Sequence, residues 1–287
     1  MNTTPTKGSV VRRPRFLGNF RRASVPAAPH IPPGHLVFAC NICGAVNSAS
    51  FEDILDRELP TCPKCRSSNR FRTLVAALQQ RLFGEIKPLI QLRNRKDLQG
   101  LGMSDEELYS RILEEKFSYT NTFFHAEPYL DIEDPPPDLR GRFDFVICAE
   151  IMEHVPPPIA GAFENLCSLL RPSGLLIFSV PYTDECETLE HFPELDRFKI
   201  LGTGKERYLV NTTRDGRTQT FHDLVFHGGK GATLEMRVFS RAGVLKMLED
   251  SGFRDIHIHC ELRPEWGIVH PHQYSLPITA LSGPQGG

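Results

Sequence analysis

The chain has 287 residues, of which 40% are hydrophobic and 24% charged, with a formal net charge of -2 at pH 7. This length is sufficient for one full domain core and a small accessory module. No apolar run approaches the roughly 18 residues that a membrane-spanning helix requires, which excludes a helical membrane protein and a membrane partner.

The first segment of the chain is basic and contains no acid before Glu52. It is also rich in proline, serine and threonine, so ordering it would cost about 1 kcal/mol or more per residue with little apolar burial in return. We predict a disordered basic arm over residues 1–34, which either contacts an anionic partner or is simply solvated. Its basic residues are Lys7, Arg12, Arg13, Arg15, Arg21 and Arg22.

Two CxxC pairs follow, Cys40 with Cys43 and Cys62 with Cys65, separated by eighteen residues. Four thiolates at this spacing predict a tetrahedral zinc ion. Two disulfides are the alternative, and they require an oxidising compartment. Residues 1–34 contain no signal-peptide-like apolar stretch, which favours zinc and a cytoplasmic location.

Residues 35–72 therefore form the predicted four-cysteine zinc ribbon. This segment has few large apolar residues, so the metal is expected to supply the missing stability, on the order of 10–16 kcal/mol. A site closed by four thiolates is structural, because no coordination position is left for a substrate. Arg66, Arg70 and Arg72 follow the second pair, either as a contact for nucleic acid or protein or as a solvated helix start.

A helix is predicted from Asn69, because Phe71, Leu74, Val75, Leu78 and Leu82 recur at helical spacing. Gly84 is expected to end this helix in a left-handed cap. Residues 73–95 are thus a connecting helix and linker.

From about residue 96 strand-like and helix-like segments alternate, which predicts an α/β fold with a parallel sheet. The first strand, at residues 96–100, leads into Gly100 and Gly102. Ser104 and Glu107 match a capping box, and Leu108, Ile112 and Phe117 would form the apolar stripe of its helix. A strand, a glycine turn and a capped helix are typical of a ligand cradle.

A later apolar strand, at residues 142–150, delivers Glu150, Glu153 and His154 at its carboxyl end, where open parallel sheets bind ligands. A short third strand is expected to end near Asp131. The other predicted elements are a strand at 118–124, a helix at 159–170, a strand at 175–182, a helix at 240–251 and a strand at 255–260.

Residues 183–238 exceed any ordinary connection and predict a separate substrate cover. Arg214, Asp215 and Gly216 lie between two strand-like runs, which indicates a β-hairpin. An acidic run precedes it, which either repels a phosphate backbone or is a solvated loop remote from the pocket. Its members are Asp184, Glu185, Glu187, Glu190, Glu194 and Asp196.

Four pieces in order carry a family resemblance: Phe143-Asp144 before a hydrophobic strand, Glu153-His154-Val155 after it, the run at residues 169–174, and Ser251-Gly252-Phe253. Over residues 96–262 the chain resembles a class I S-adenosylmethionine-dependent methyltransferase. The resemblance implies a Rossmann-like seven-stranded sheet with an antiparallel last strand, and a methyl donor across the ends of strands one and four. The methyltransferase domain would extend over 96–282, with 263–282 giving the remaining edge strand, and 283–287 would be a tail.

The same resemblance implies the donor-binding residues. They are Gly100, Gly102, Ser104, Asp105, Asp131 and Glu150, with Asp131 facing the adenine amino group. The first loop lacks the acid that the family usually carries before its glycines, and either Asp105 or Asp97 is the candidate substitute. His154, His191 and His227 are candidates for a catalytic base, although a lone histidine is also commonly a packing or capping residue.

The predicted function is methyl transfer from S-adenosylmethionine to a small-molecule or carrier-borne acceptor, such as a sugar or metabolite hydroxyl. An RNA methyltransferase that uses the zinc ribbon and basic arm for RNA contact is one alternative. However, no Asn/Asp-Pro-Pro-Tyr/Phe motif follows the strand at residues 142–150, and the absence of this motif counts against methylation of an exocyclic base amine. The altered first loop leaves a second alternative, a catalytically silent zinc-dependent binding module.

Overall fold

The computed structural model describes residues 34–227, 233–270 and 275–283. Apart from Gly34, the predicted basic arm lies outside these residues, and so does the tail apart from Gly283. Within the described residues, no helix combines the length and the apolar composition needed to cross a bilayer.

The N-terminal part begins with an antiparallel pair of strands. Its elements are β1 (His35–Ala39), β2 (Val46–Ser50), α1 (Phe51–Leu55) and α2 (Asn69–Phe83). Ser50 caps α1 by accepting a hydrogen bond from the amide of Asp53 at 3.1 Å. Helix α2 ends at Gly84, whose φ of 71° confirms the predicted left-handed cap.

Alternating strands and helices follow, as predicted. They are β3 (Arg95–Met103), α3 (Glu107–Lys116), β4 (Phe117–Thr122), β5 (Phe143–Ala149), α4 (Ala160–Leu169) and β6 (Leu170–Ser179). Adjacent strands among β4, β3, β5 and β6 pair in parallel. The α/β class is therefore confirmed.

An insertion of short strands comes next. It contains β7 (Tyr182–Thr183), β8 (Leu189–Glu190), β9 (Arg197–Leu201), β10 (Tyr208–Thr212), β11 (Thr218–Phe221), β12 (Phe226–His227), β13 (Thr233–Leu234) and β14 (Arg237–Ser240). The predicted hairpin is formed by β10 and β11, which pair antiparallel. The insertion has its own small core, which includes Phe192, Leu209 and Met236.

The chain closes the main sheet with α5 (Arg241–Asp250), β15 (Phe253–Ile258) and β16 (Ile278–Ser282). The strand order is β15-β16-β6-β5-β3-β4, and β16 runs antiparallel to both of its neighbours. The prediction of an edge strand from residues 263–282 is wrong in position. The strand from this segment lies between β15 and β6, and its residues Ile278 and Ala280 are fully buried there.

Among the described residues the main sheet has six strands, and the expected third strand is reduced to a single bridge between Phe123 and Tyr129. Pro128 lies directly before Tyr129 and has no N–H to donate, which limits the length of a ladder here.

The capping box predicted at Ser104 is also wrong. Ser104 has a left-handed φ of 57° and donates its amide to the carbonyl of Thr122, so it extends the sheet. Helix α3 begins only at Glu107, after Glu106, whose side chain makes no capping hydrogen bond. Phe117 opens β4 instead of closing the helix.

Two apolar clusters cover the two faces of the sheet, because successive residues of β5 point to opposite sides. Val146 and Cys148 face the cluster with α4 and α5, whereas Phe145 and Ile147 face α2 and α3. The second cluster also contains Cys40, Ile42, Cys43 and Cys62. The N-terminal cysteine module and the sheet thus share one continuous core.

Candidate functional site

The four predicted metal ligands lie together, with all sulfur atoms within 4.8 Å of one another. Cys40 Sγ is 3.6 Å from Cys65 Sγ, and Cys43 Sγ is 3.6 Å from Cys62 Sγ. A disulfide requires about 2.05 Å. A tetrahedral ion with bonds of about 2.3 Å places its sulfur ligands roughly 3.8 Å apart. The donor set and its spacing therefore fit a zinc ion.

Arg72 lies beneath this cluster with its side chain completely buried. Its guanidinium donates to the carbonyls of Ser67 and Gly267 and to the hydroxyl of Thr61, each at 2.9 Å. Burial lowers the pKa of Arg72 from its usual value, and the neighbouring cysteine thiolates act in the opposite direction. A centre with four thiolates around a dication carries excess negative charge, so a buried arginine is a suitable counter-ion.

Arg66 and Arg70, the other two arginines after the second CxxC pair, do not extend a basic surface. Arg70 is ion-paired with Glu58 at 2.8 Å and lies over the ring of Phe71 at 4.3 Å. Arg66 is exposed. Of the two interpretations left open for these residues, neither a basic patch nor a solvated helix start describes Arg72.

A cavity of about 390 Å³ opens at the carboxyl ends of β3, β4 and β5, under the insertion. The sheet side contributes Met103, Ser104, Thr122, Phe123, Phe124, His125, Leu130, Asp131, Ile132, Glu133, Ile151, His154, Val155 and Pro156. The insertion contributes Phe198, Ile200, Phe226, Thr233, Leu234 and Met236. The lining is mostly apolar with a few polar groups, as is usual in small-molecule sites.

Two residues with strained backbones mark the strand ends beside this cavity. Ser104 follows β3 and Glu150 follows β5, and both have φ of 57° although neither is glycine. Each donates its amide across the sheet, Ser104 to Thr122 and Glu150 to Ser179. Conformations of this kind cost about 1–3 kcal/mol each and concentrate at functional sites.

The predicted donor-binding residues divide into two groups. Ser104 and Asp131 line the cavity, whereas Gly100, Gly102, Asp105 and Glu150 do not. A β-carbon at Gly100 would collide with the ring of Phe145, and one at Gly102 would collide with Tyr119 and Asp105. Both glycines therefore leave room for side chains of the protein interior that pack directly against them. A role for them and for Asp105 in donor binding stays a prediction.

The predicted glycine turn is wrong, because Gly100 and Gly102 lie within β3. Asp105 is buried just after this strand. Its carboxylate accepts hydrogen bonds from the hydroxyls of Tyr109, at 2.7 Å, and Tyr119. Burial raises the pKa of Asp105 to about 7, against the opposite influence of the two hydroxyls.

Glu150 contacts the cysteine module. Its Oε1 accepts from Arg57 at 2.9 Å and from Ser179 at 2.8 Å. Burial would raise the pKa of Glu150, but Arg57 and Arg70 outweigh this and hold it below its usual value. A residue from the cysteine module thus stabilises the charged form of a carboxylate at the end of β5.

Two of the three candidate bases contact one carboxylate, and the third lies beside one of them. Glu235 Oε1 is 2.9 Å from Nε2 of His191, and its Oε2 is 2.7 Å from Nε2 of His227. The rings of His227 and His154 are 5.7 Å apart. Of the three, His154 lines the cavity.

His154 is held in one tautomer. Its Nδ1 lies 2.9 Å from the carbonyl oxygen of Leu234, which can only accept, so Nδ1 carries the hydrogen and Nε2 the lone pair. Burial lowers the pKa of His154, which favours the neutral ring. This arrangement is suitable for a general base.

Three residues at the site carry no signal that sequence patterns could have revealed. Glu235 lies outside the acidic run of the insertion, Arg57 lies in the cysteine module, and Phe124 is an ordinary aromatic after β4. Phe124 lines the cavity and is 52% exposed, which leaves a flat apolar surface at its mouth.

The predicted acidic run is largely neutralised, contrary to expectation. Glu190 pairs with the buried Arg237, Glu194 with Arg217, and Asp184 with Arg241. Asp196 has arginine partners as well. These arginines come later in the chain than the acids, and the fold of the insertion brings them into contact with the acids.

A family model described as a methyltransferase domain matches residues 87–258, which is more than half of the chain. The chain belongs to this methyltransferase domain family. The match includes β3 to β15, and with them the sheet side of the cavity described above.

A curated relative of the methyltransferase domain is a ubiquinone biosynthesis O-methyltransferase from Acinetobacter baylyi. It is 27% identical over 134 residues, which are 46% of this chain and 50% of the relative. The chain thus matches about half the length of that relative.

Two solved structures are also similar. The CurJ carbon methyltransferase has a TM-score of 0.45 at 14% identity, covering 76% of this chain and 56% of its own. The 1,6-didemethyltoxoflavin-N1-methyltransferase of Burkholderia thailandensis has a TM-score of 0.40 at 15% identity, covering 74% and 78%.

Proposed function

We propose that the protein transfers a methyl group from S-adenosylmethionine to a hydroxyl of a small-molecule or carrier-borne acceptor. One observation carries the proposal, the cavity at the carboxyl ends of β3, β4 and β5 in a chain of the methyltransferase domain family. Its volume of about 390 Å³ is within the range of small-molecule sites.

The donor would occupy the sheet side of the cavity, between Ser104 and Asp131. When bound, it supplies an electrophilic methyl group on a sulfonium. Asp131 accepts the amide of Glu133 at 2.9 Å, which fixes its carboxylate at the cavity wall for contact with the adenine amino group. Phe124 offers its exposed ring for stacking against the adenine.

The acceptor would lie under the insertion, against Phe198, Phe226 and Leu234. His154 would accept the proton of the acceptor hydroxyl on Nε2, while the donor would supply the methyl group to the oxygen and leave as a neutral thioether when its carbon–sulfur bond breaks. The hydrogen bond from Nδ1 to the carbonyl of Leu234 fixes the ring, and Nε2 lies 3.8 Å from Oε1 of Glu153. Glu235, between His191 and His227, connects separate segments within the insertion.

The cysteine module has a structural role in this proposal. A zinc ion held by Cys40, Cys43, Cys62 and Cys65 would fix the two knuckles beneath β1 and α2. Through Arg57 it would also fix the end of β5, where Glu150 lies. Zinc is therefore expected to support the cavity without taking part in the chemistry.

Calorimetry with S-adenosylhomocysteine on zinc-loaded protein tests the donor site. We expect micromolar binding, weakened roughly 5- to 150-fold by Asp131→Ala, since a lost hydrogen bond to a charged group costs about 1–3 kcal/mol. Asp134→Ala, on the same turn, is the matched control and should leave the affinity unchanged. An absence of binding to well-folded wild type would favour the silent binding module instead.

Methyl transfer from labelled donor to a panel of small hydroxyl compounds tests the acceptor class. His154→Gln should lower turnover without changing donor affinity. The same assay with RNA tests the RNA alternative, against which Arg70, Arg217 and Arg237 are each ion-paired with a glutamate. Methylation of RNA in preference to every small hydroxyl compound would overturn the proposed acceptor class.

A further inference from the structure

A second group of metal-ligating side chains lies away from both sites described above. It consists of His257 on β15 and of His259 and Glu261, which follow that strand. Their ligand atoms all lie within 4.8 Å of one another. His257 Nε2 is 3.3 Å from Glu261 Oε1, and the two imidazole rings are 4.6 Å apart.

The local backbone explains why these side chains meet. The chain turns at His259 just after β15, because the amide of Cys260 donates to the carbonyl of Ile258, and Glu261 comes to lie beside His257. The cluster borders a cavity of about 300 Å³ between this segment and α2. Residues that line the cavity from α2 include Gln80 and Arg81.

We propose that His257, His259 and Glu261 bind one divalent transition-metal ion of the zinc class. Two imidazoles and a carboxylate are borderline ligands that suit Zn²⁺, Co²⁺ or Ni²⁺, and not the oxygen-only sites of Mg²⁺ and Ca²⁺. Three protein ligands leave a fourth position for solvent or a small ligand from the cavity. This donor set is chemically different from the four thiolates of the knuckles.

A further contact orients His259. Its Nε2 lies 2.9 Å from Oγ1 of Thr279 on the neighbouring strand β16, and the side chain is buried. With Nε2 bonded to threonine, Nδ1 is the nitrogen left for a metal. Hydrogen bonds of this kind fix the tautomer and ring orientation of metal-binding histidines.

The charges around the cluster are compatible with a cation. Arg81 and Arg263 also line the cavity, but Arg81 is ion-paired with Asp255. The carboxylate of Glu261 is the anionic ligand. A bound ion would therefore connect β15 and the segment after it, on the side that faces α2.

Metal stoichiometry of the full chain tests the proposal, with Co²⁺ and Zn²⁺ as the probes. We expect two equivalents per chain at micromolar free metal in the wild type. One Co²⁺ should show the intense thiolate charge-transfer absorption of the cysteine site, and the other only weak d–d bands. His257→Ala and Glu261→Gln should each weaken the second equivalent at least about tenfold and leave the charge-transfer absorption intact.

Both substituted side chains are nearly half exposed, so the variants should fold, which far-ultraviolet circular dichroism can verify. His222→Ala removes an exposed histidine outside the cluster and should retain both equivalents. A single equivalent in the wild type, or an unchanged second equivalent in His257→Ala, would overturn the proposal. The test does not depend on methyl transfer, so it stands or fails separately from the proposed function.

Discussion

Replacing Arg72 by Met should destabilise the protein strongly, although both side chains fill a similar volume. The substitution removes the buried charge beneath the four cysteines. It also leaves the carbonyls of Ser67 and Gly267 and the hydroxyl of Thr61 without their donor. Removing one partner of a buried charged pair typically costs about 3–5 kcal/mol.

For a chain of this size we expect the melting temperature to fall by roughly 10 °C. The zinc affinity, measured by competition with a chromophoric chelator, should fall as well, because the thiolates lose their counter-ion. Differential scanning fluorimetry with and without added zinc separates the two effects. Arg72→Lys restores the charge but not the several hydrogen bonds, so it should recover only part of the stability.

The matched control is Arg66→Met, which changes an exposed arginine at the second knuckle. A surface change of this kind should stay within about 0.5 kcal/mol of the wild type. If Arg72→Met melts within about 2 °C of wild type, or no lower than Arg66→Met, the arginine is not a counter-ion to the cysteine centre and the reasoning is refuted.

Asp105→Asn should flatten the pH dependence of stability. Burial raises the pKa of folded Asp105 to about 7, so between roughly pH 4 and 7 the folded state keeps a proton that the unfolded state has released. Wild-type stability should therefore fall by about 1.4 kcal/mol per pH unit over this range. An equal slope in urea titrations of the variant would contradict this. Gly102→Ala should cost about 1–3 kcal/mol by overpacking against Asp105, whereas Gly161→Ala, in a helix with open space around it, should be neutral or stabilising when both are unfolded in urea. Arg57→Ala should raise the pH of acid unfolding, because the low pKa of Glu150 gives stability that is lost as pH falls through that pKa. A circular-dichroism acid titration checks this, and an unchanged midpoint would show that Arg57 does not hold the carboxylate ionised.

Local pattern was sufficient for the regular elements of this chain. The helical spacing from Phe71 and the glycine at 84 predicted α2 and its left-handed end, and the turn residues at 214–216 predicted the hairpin of β10 and β11. The two CxxC pairs predicted a four-sulfur cluster, and the sulfur atoms do converge. Each of these features depends on residues close in sequence or on an unusually specific spacing, so no knowledge of packing was needed.

Errors arose where neighbouring elements decided the outcome. Ser104 was expected to cap a helix, but its amide is used by the carbonyl of Thr122 in the sheet. An edge strand is predicted from residues 263–282, but β16 lies between β15 and β6, with buried residues on both of its faces. Local propensity cannot show which strands will pair with each other, because strand pairing depends on residues that are distant in sequence.

By itself, then, the sequence determined the α/β class, the cysteine ligands, and the histidines and Asp131 as candidates. Only the tertiary structure brought His191 to Glu235 across 44 residues and Arg57 to Glu150 across 93. It also merged the cysteine module with the sheet in one core and buried Arg72 beneath the sulfurs. Hydrogen bonds and ion pairs act over a few ångströms of space, and only the packed chain fixes which distant residues come within that distance.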